Sequence, residues 1–209
     1  PNSTQLTPGF TAWVDNDGEG HWEVLQKQYQ FTSEQPITAS TPNANSLYGT
    51  SVAQSTNNLS LLVGSPGVAS GEGAVYVYRP GGSVPYIQSN ELSLDTPETL
   101  AYGNSVEFGS QAWAAAGANL SYGGAGYATV LYQPPGSTDV LQTQLLVAPD
   151  SDFSVSGFGT SVAISKDEHW MYIGAPGANK VYSYGRVDIP TQSVQYVADG
   201  VTATFPYRS

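Results

Sequence analysis

Four acidic residues near the N-terminus, Asp15, Asp17, Glu19 and Glu23, follow a calcium-loop rhythm of positions one, three, five and nine. Carboxylate oxygens at that spacing could hold Ca²⁺. The stretch that carries them, FTAWVDNDGEGHWEVLQKQYQF over 10–31, also reads as a hairpin: two apolar-rich runs are joined by Asp15-Asn16-Asp17-Gly18-Glu19-Gly20, which is turn chemistry. The hairpin is the expectation, with bound calcium as its alternative. The two histidines, His21 and His169, each precede a tryptophan, and neither has a second histidine nearby. Metal binding and general-base work both need partners at defined spacing, so both are expected to be turn or strand residues. Carboxylates for glycoside cleavage would be sought among Glu107, Asp139, Asp152 and Asp167, and only Glu107 falls within a strand-like segment. A lone carboxylate lacks the partner that this chemistry uses. There is no nucleophile elbow and no phosphate loop, because the glycines fall between strand-like runs and none opens a helix. The chain is therefore expected to carry no catalytic residue, no metal and no cofactor.

The elements that would position these residues are set by an internal repeat. The stretch GFGTSVAISKDEHWMYIGAPGANKVYSY over 157–184 has two earlier versions, LYGTSVAQSTNNLSLLVGSPGVASGEGAVYVY over 47–78 and AYGNSVEFGSQAWAAAGANLSYGGAGYATVLY over 101–132. Each opens on an aromatic-Gly pair, Tyr48-Gly49, Tyr102-Gly103 and Phe158-Gly159, so the copies lie 54 and then 56 residues apart. A Ser-Val pair follows, then Gly-Ser-Pro, Gly-Ala-Asn or Gly-Ala-Pro, read here as a turn. Ser161-Val162-Ala163-Ile164-Ser165 alternates, as a strand with one packed face should. Met171-Tyr172-Ile173 is the denser apolar run of a strand buried on both sides. Val181-Tyr182-Ser183-Tyr184 alternates again. A repeat of this length with three strand segments and no helix is the sequence signature of a propeller blade.

Through Phe158-Gly159, Ser161-Val162-Ala163, Gly174-Ala175-Pro176 and the Val-Tyr-x-Tyr strand, the repeat resembles the FG-GAP repeat of integrin-like β-propellers. The second copy departs from it, with Glu107 in place of alanine and Gly117-Ala118-Asn119 in place of Gly-Ala-Pro. The resemblance implies an all-β chain, a β-propeller of FG-GAP-like blades with about four antiparallel strands each, forming an incomplete ring or part of a larger propeller. In that family calcium loops join the first and second strands. Here those loops contain Ser55-Thr56-Asn57-Asn58, Gly109-Ser110-Gln111 and Ser165-Lys166-Asp167-Glu168, without the Asp-x-Asp-x-Asp-Gly pattern, so the family's calcium sites do not carry over.

Composition excludes several partners. Charged residues are 11% of the 209, and 17 acidic against 6 basic residues give a net charge of −11. The basic residues Lys27, Arg79, Lys166, Lys180, Arg186 and Arg208 are scattered, so neither nucleic acid nor an anionic membrane surface finds the clustered cations it needs. There is no cysteine, hence no disulfide framework and no thiolate metal site. Neither an 18-residue apolar run nor a signal-peptide pattern is present. A chain that starts at Pro1 is expected to be a piece of something longer. The strand tyrosines Tyr76, Tyr78, Tyr132, Tyr182 and Tyr184 are expected to pack between blades. Trp13, Trp22, Trp113 and Trp170 fit less regularly and could offer flat rings to a sugar or a protein. The Asn-x-Ser/Thr matches at Asn2, Asn58 and Asn119 would matter only in a eukaryotic secretory setting.

The expected organisation is propeller blades over 1–190, with a half-blade at 10–31, blades at about 47–95, 101–148 and 157–190, and a following β module or linker from 191 to 209. Residues 1–9 read as a linker or a strand-free lead-in. Thr32–Ser46 and Ser89–Leu100 read as loops between blades, and Asp150–Ser156 plays the same part before the third copy. The stretch 194–206, a strand, an Asp-Gly turn and a second strand ending in Phe-Pro, is similar to modules of phage tail-fibre proteins. The combined expectation is a non-enzymatic structural and adhesion module, extracellular or on a virion surface, in a phage fibre or tail protein involved in host attachment. Its partners would be proteins of a larger, oligomeric assembly and a cell-surface glycan or receptor, with no nucleic acid and no membrane insertion. The alternatives are an integrin-like cell-surface adhesion protein and, ranked below it, a glycan-cleaving propeller enzyme.

Overall fold

The computed structural model describes residues 2–7, 10–16, 22–29, 36–40, 44–56, 60–82, 84–94, 96, 98–149, 156–189 and 193–198. Side chains are described within 36–40, 44–56, 60–82, 86–94, 96, 98–149 and 156–187. The chain divides into two compact units, Pro1–Ile37 and Thr38–Ser209.

The first unit is an antiparallel sheet of β1 (Asn2–Thr7), β2 (Phe10–Asn16) and β3 (Trp22–Tyr29), in that order. The expected hairpin is present as β2 and β3, with Asp15 opposite Glu23. The lead-in is not strand-free: Asn2–Thr7 pairs along β2, with Asn2 opposite Val14. A polar edge strand gives no hydrophobic alternation to read, yet its backbone groups still find partners on the free side of its neighbour. The described residues of this unit thus form three strands where two were expected.

The second unit holds three four-stranded antiparallel sheets, each running in chain order. The first is β4 (Ser51–Gln54), β5 (Leu61–Ser65), β6 (Ala74–Gly81) and β7 (Val84–Leu92). The second is β8 (Tyr102–Phe108), β9 (Trp113–Ala118), β10 (Tyr127–Tyr132) and β11 (Leu141–Leu146). The third is β12 (Ser161–Ile164), β13 (Trp170–Ala175), β14 (Lys180–Ile189) and β15 (Ser193–Ala198). Three copies of one sequence pattern have become three copies of one propeller-like blade, and the described residues form no closed ring. Two assignments change. Part of the stretch read as a loop, Ser89–Leu92, extends β7. Ser193–Ala198, expected to open a following module, instead pairs along β14 from Ile189 back to Tyr184 and completes the third blade. An outer strand needs only one backbone partner, and β14 offers it a free edge over those residues.

The blades stack face on face. In β9 every residue is buried, with Ala114, Ala116 and Ala118 in the cluster shared with the first blade and Trp113 and Ala115 in the cluster shared with the third. Leu62, Val75 and Val77 supply the first blade's side of one junction, and Met171, Ile173 and Tyr184 supply the third blade's side of the other. Alanine on both faces of a central strand allows two sheets to close on it tightly, which the close-packed interior rewards. Tyr132, Tyr182 and Tyr184 pack at the junction of the second and third blades, whereas Tyr76 and Tyr78 are buried outside both junctions, Tyr76 edge-on to Tyr48 and Tyr78 hydrogen-bonded to Tyr48 and the Thr38 carbonyl.

Candidate functional site

The recurring glycines of the repeat do two different jobs. Gly49, Gly103 and Gly159, the second residue of each aromatic-Gly pair, have φ of +88°, +84° and +88°, a region that only glycine enters freely. Gly64, Gly117 and Gly174 were expected to make a turn, but each lies inside a strand, opposite Ser51, Ser105 and Ser161. Close approach explains them. A Cβ on Gly64 would stand 1.9 Å from the Gly103 carbonyl oxygen, and one on Gly117 would stand 1.9 Å from that of Gly159. Into the same notch the serine hydroxyl donates: Ser51 Oγ to Gly103 O at 2.9 Å, and Ser105 Oγ to Gly159 O at 2.8 Å.

A second contact secures each junction. The loop between β5 and β6 contains the short turn α1 (Val68–Gly71), and the loop between β9 and β10 contains its equivalent α2 (Ser121–Gly124). The amides of Ala101 and Tyr102 donate to Gly71 O and Glu72 O, and those of Gly157 and Phe158 donate to Gly124 O and Ala125 O. Each of the first two blades therefore hands two carbonyls to the segment that opens the next. The third blade has only a short 3₁₀ turn, Pro176–Ala178, in that place.

At the opposite end of the blades, the loops between first and second strands interlock. Glu168, 2% exposed and with φ of +58°, aims its Oε1 at the second blade's loop and accepts the amides of Gln111, Ala112 and Trp113 at 2.5, 3.0 and 3.4 Å. Gly109 makes room, since a Cβ there would meet Glu168 Oε1 at 2.5 Å. Thr56 of the first blade hydrogen-bonds Ser110 O in the same loop. The place where the resembled family carries calcium is thus held by one carboxylate in the third blade. In sequence Glu168 shows only as a carboxylate in a loop without a calcium pattern, in a chain poor in charge.

The sequence candidates for chemistry do not assemble. Glu107 is half-buried on β8 opposite Ala115, and burial raises its carboxyl above the usual range. Asp139 is exposed in the loop after β10. Asp167 is exposed in the loop after β12, where the Ser165 hydroxyl and then the His169 amide hold its carboxyl below the usual range. His169 is exposed, with Nδ1 2.8 Å from the Asp167 carbonyl oxygen, so it closes its own turn. Among the described residues no three His, Cys, Asp or Glu residues group as a metal site. Asp17, Glu19, His21, Asn58 and Asp152 lie outside the described residues, and the side chains of Asn2, Trp13, Asp15, Trp22 and Glu23 are not described. No helix of the described residues is long and apolar enough to cross a membrane.

What the fold does offer is a small apolar rim. Leu100, Leu120 and Tyr122 are 40%, 54% and 50% exposed. They are tied together by Leu100 N donating to Ser121 Oγ, Ser121 Oγ donating to Leu100 O, and Tyr122 N donating to Glu98 O. Tyr122 has φ of +48°, a costly conformation for a bulky residue. The equivalent residue of the first blade, Ala69, has φ of +50°, so the turn itself makes no demand for an aromatic ring. Tyr122 meets Tyr127 edge-on, with centroids 4.9 Å apart and planes at 89°, and half of it stays exposed.

No curated protein matches the chain. A family model does match within it, over the first blade from the preceding connection to the end of the Val-Tyr-Val-Tyr strand: residues 31–78 match the model described as FG-GAP repeat.

Proposed function

We propose that this chain is a non-enzymatic structural and adhesion module of an extracellular assembly, a virion fibre or tail protein that takes part in host attachment. FG-GAP repeats are generally adhesion modules without catalysis and are typically extracellular. The observation that carries the reading is the rim of Leu100, Leu120 and Tyr122, an exposed aromatic and aliphatic surface built on rigid blade connections. Flat amphipathic rings of this kind bind sugars and protein surfaces. Further support comes from the charge-poor, acidic composition; the fibre setting rests on the sequence resemblance of 194–206 alone, of which the part up to Ala198 serves as the outer strand of the third blade.

Immunogold microscopy with antibody against the purified chain tests the setting: labelled fibres or tails are expected, and labelled cell envelopes would carry the integrin-like reading instead. A glycan array tests the rim. Tyr122→Ala should retain the fold, as Ala69 does in the first blade, and lose the binding shown by the unmodified chain. Glycan cleavage abolished in Glu107→Gln would replace both readings with an enzyme.

A further inference from the structure

The second and third blades meet across a carboxylic acid at the place where the first and second meet across a methyl group. Ala53 of β4 stands opposite Leu62, and Glu107 of β8 stands opposite Ala115, at the same register position of their sheets. Residues paired across neighbouring strands share one face of a sheet. Leu62 belongs to the cluster between the first two blades, with Ala53 packed against it, and Ala115 belongs to the cluster between the second and third. Glu107 therefore lies on the face that the second blade turns to the third. Its longer stem finds room there because its partner is the small Ala115, where Ala53 has the large Leu62.

Nothing across that junction balances the charge. The third blade's β12 turns Val162 and Ile164 to the same cluster. Neither β12 and β13 in the third blade, nor β9 beside Glu107, nor β4 and β5 in the first blade, carries a residue charged at neutral pH. In the loop after β12, Lys166, Asp167 and His169 are exposed, and Glu168 directs its Oε1 to the amides of Gln111, Ala112 and Trp113. Among the described residues the Glu107 carboxyl has no hydrogen-bond or ion-pair partner. Half-buried beside apolar groups, its ionised form is the costly one, and burial accordingly raises the carboxyl above the ordinary 4.5.

We propose that the junction of the second and third blades is a pH-sensitive joint, tight when the Glu107 carboxyl is neutral and eased when it is charged, whereas the junction of the first and second blades, with Ala53 in that place, does not respond to this group. The sign follows from the direction of the shift. A carboxyl whose folded-state value is raised weakens the fold at every pH above that value, the cost is relieved as pH falls through it, and no difference remains below 4.5, where the unfolded chain is protonated as well. Glu168, at the other end of the same junction, works in the opposite sense, since protonation in acid removes its charge from the three amides. The response of Glu107 is therefore read as a difference from a neutral variant.

Amide exchange, corrected for the intrinsic pH dependence of the exchange chemistry, tests the proposal in the unmodified chain and in Glu107→Gln, which keeps the shape and removes the charge. The amides of Gly157 and Phe158 report on the second junction, and those of Ala101 and Tyr102 on the first. At about pH 7 the Gln variant should protect Gly157 and Phe158 several-fold more than the unmodified chain does, and the two proteins should converge by about pH 4, below the ordinary glutamate value. Ala101 and Tyr102 should exchange alike in both proteins throughout. Three outcomes would overturn the proposal: equal protection at neutral pH, a difference that persists unchanged in acid and so comes from packing, or a difference of the same size at both junctions.

Discussion

The hydroxyl of Ser105 donates to the carbonyl oxygen of Gly159 at 2.8 Å, across the boundary between two blades. The same bond at 2.9 Å links Ser51 to Gly103 one blade earlier. That hydroxyl fits only because the residue opposite each serine, Gly117 or Gly64, has no side chain to fill the notch. The repeat is therefore a repeated junction as much as a repeated sheet.

Alanine at Gly117 should be costly, since its Cβ would meet the Gly159 carbonyl oxygen at 1.9 Å and backbone cannot swing aside. A loss of about 1–3 kcal/mol is expected, as for other overpacked interiors. Gly174→Ala should change stability by less than about 0.5 kcal/mol, because its nearest neighbour is the rotatable Ser161 hydroxyl at 2.3 Å. Urea unfolding midpoints of the two variants give the comparison; equal losses would contradict it.

Glu168 holds three amides of the neighbouring loop with one buried oxygen. Glu168→Ala leaves those donors unmet and should cost roughly 2–3 kcal/mol, the scale of hydrogen bonds to a charged acceptor. Amide exchange should quicken at Gln111, Ala112 and Trp113. Unchanged exchange there would mean that the loop holds itself.

Tyr102 is fully buried against Thr129, and burial pushes its hydroxyl up to about 12 from 10.0. The unfolded chain then ionises first, so stability is flat below about pH 10 and falls as pH rises from there towards 12. The full shift is worth roughly 2–3 kcal/mol. Burial raises Tyr48, Tyr78 and Tyr127 as well, which steepens the same fall. Thermal midpoints measured across this range should drop together with the rise of the tyrosinate absorbance band, and Tyr102→Phe should soften the drop.

Chelation should leave the melting temperature unchanged. The loops between first and second strands hold a carboxylate clamp in place of a calcium pattern, and no metal-ligating cluster occurs among the described residues. A fall in melting temperature with EDTA, restored by Ca²⁺ and absent in Asp15→Asn/Asp17→Asn, would place calcium at the N-terminal hairpin.

Much of the blade architecture was legible because its causes are local or periodic. Aromatic-Gly pairs, Ser-Val openings and alternating Val-Tyr strands recur at near-constant spacing, and periodicity survives degeneration of single residues such as Glu107. Less legible was whatever depends on a neighbour distant in sequence. Gly117 reads as a turn residue until Gly159 is placed against it; Glu168 reads only as part of a loop without a calcium pattern until Gly109 opens a path to the Trp113 amide. Asn2–Thr7 and Ser193–Ala198 pair with a free strand edge, an opportunity that no composition announces. The rim residue Tyr122 was hidden for a different reason: its left-handed backbone is the exception for a bulky side chain, and only the matching turn at Ala69 shows that the ring is surplus to the fold.

The central claim is that successive blades share one junction, in which a strand opening is held by carbonyls of the preceding blade. Residue-resolved hydrogen exchange tests this most directly, at the amides of Tyr102 and Phe158, which donate to Glu72 O and Ala125 O at 2.9 and 3.0 Å. Both are predicted to exchange as slowly as the central-strand amides of β9, and Phe158 alone is predicted to quicken when Ser105→Ala or Gly117→Ala loosens the second junction. Exchange of both amides at the rate of an open loop would contradict the shared junction and, with it, the stacked-blade account.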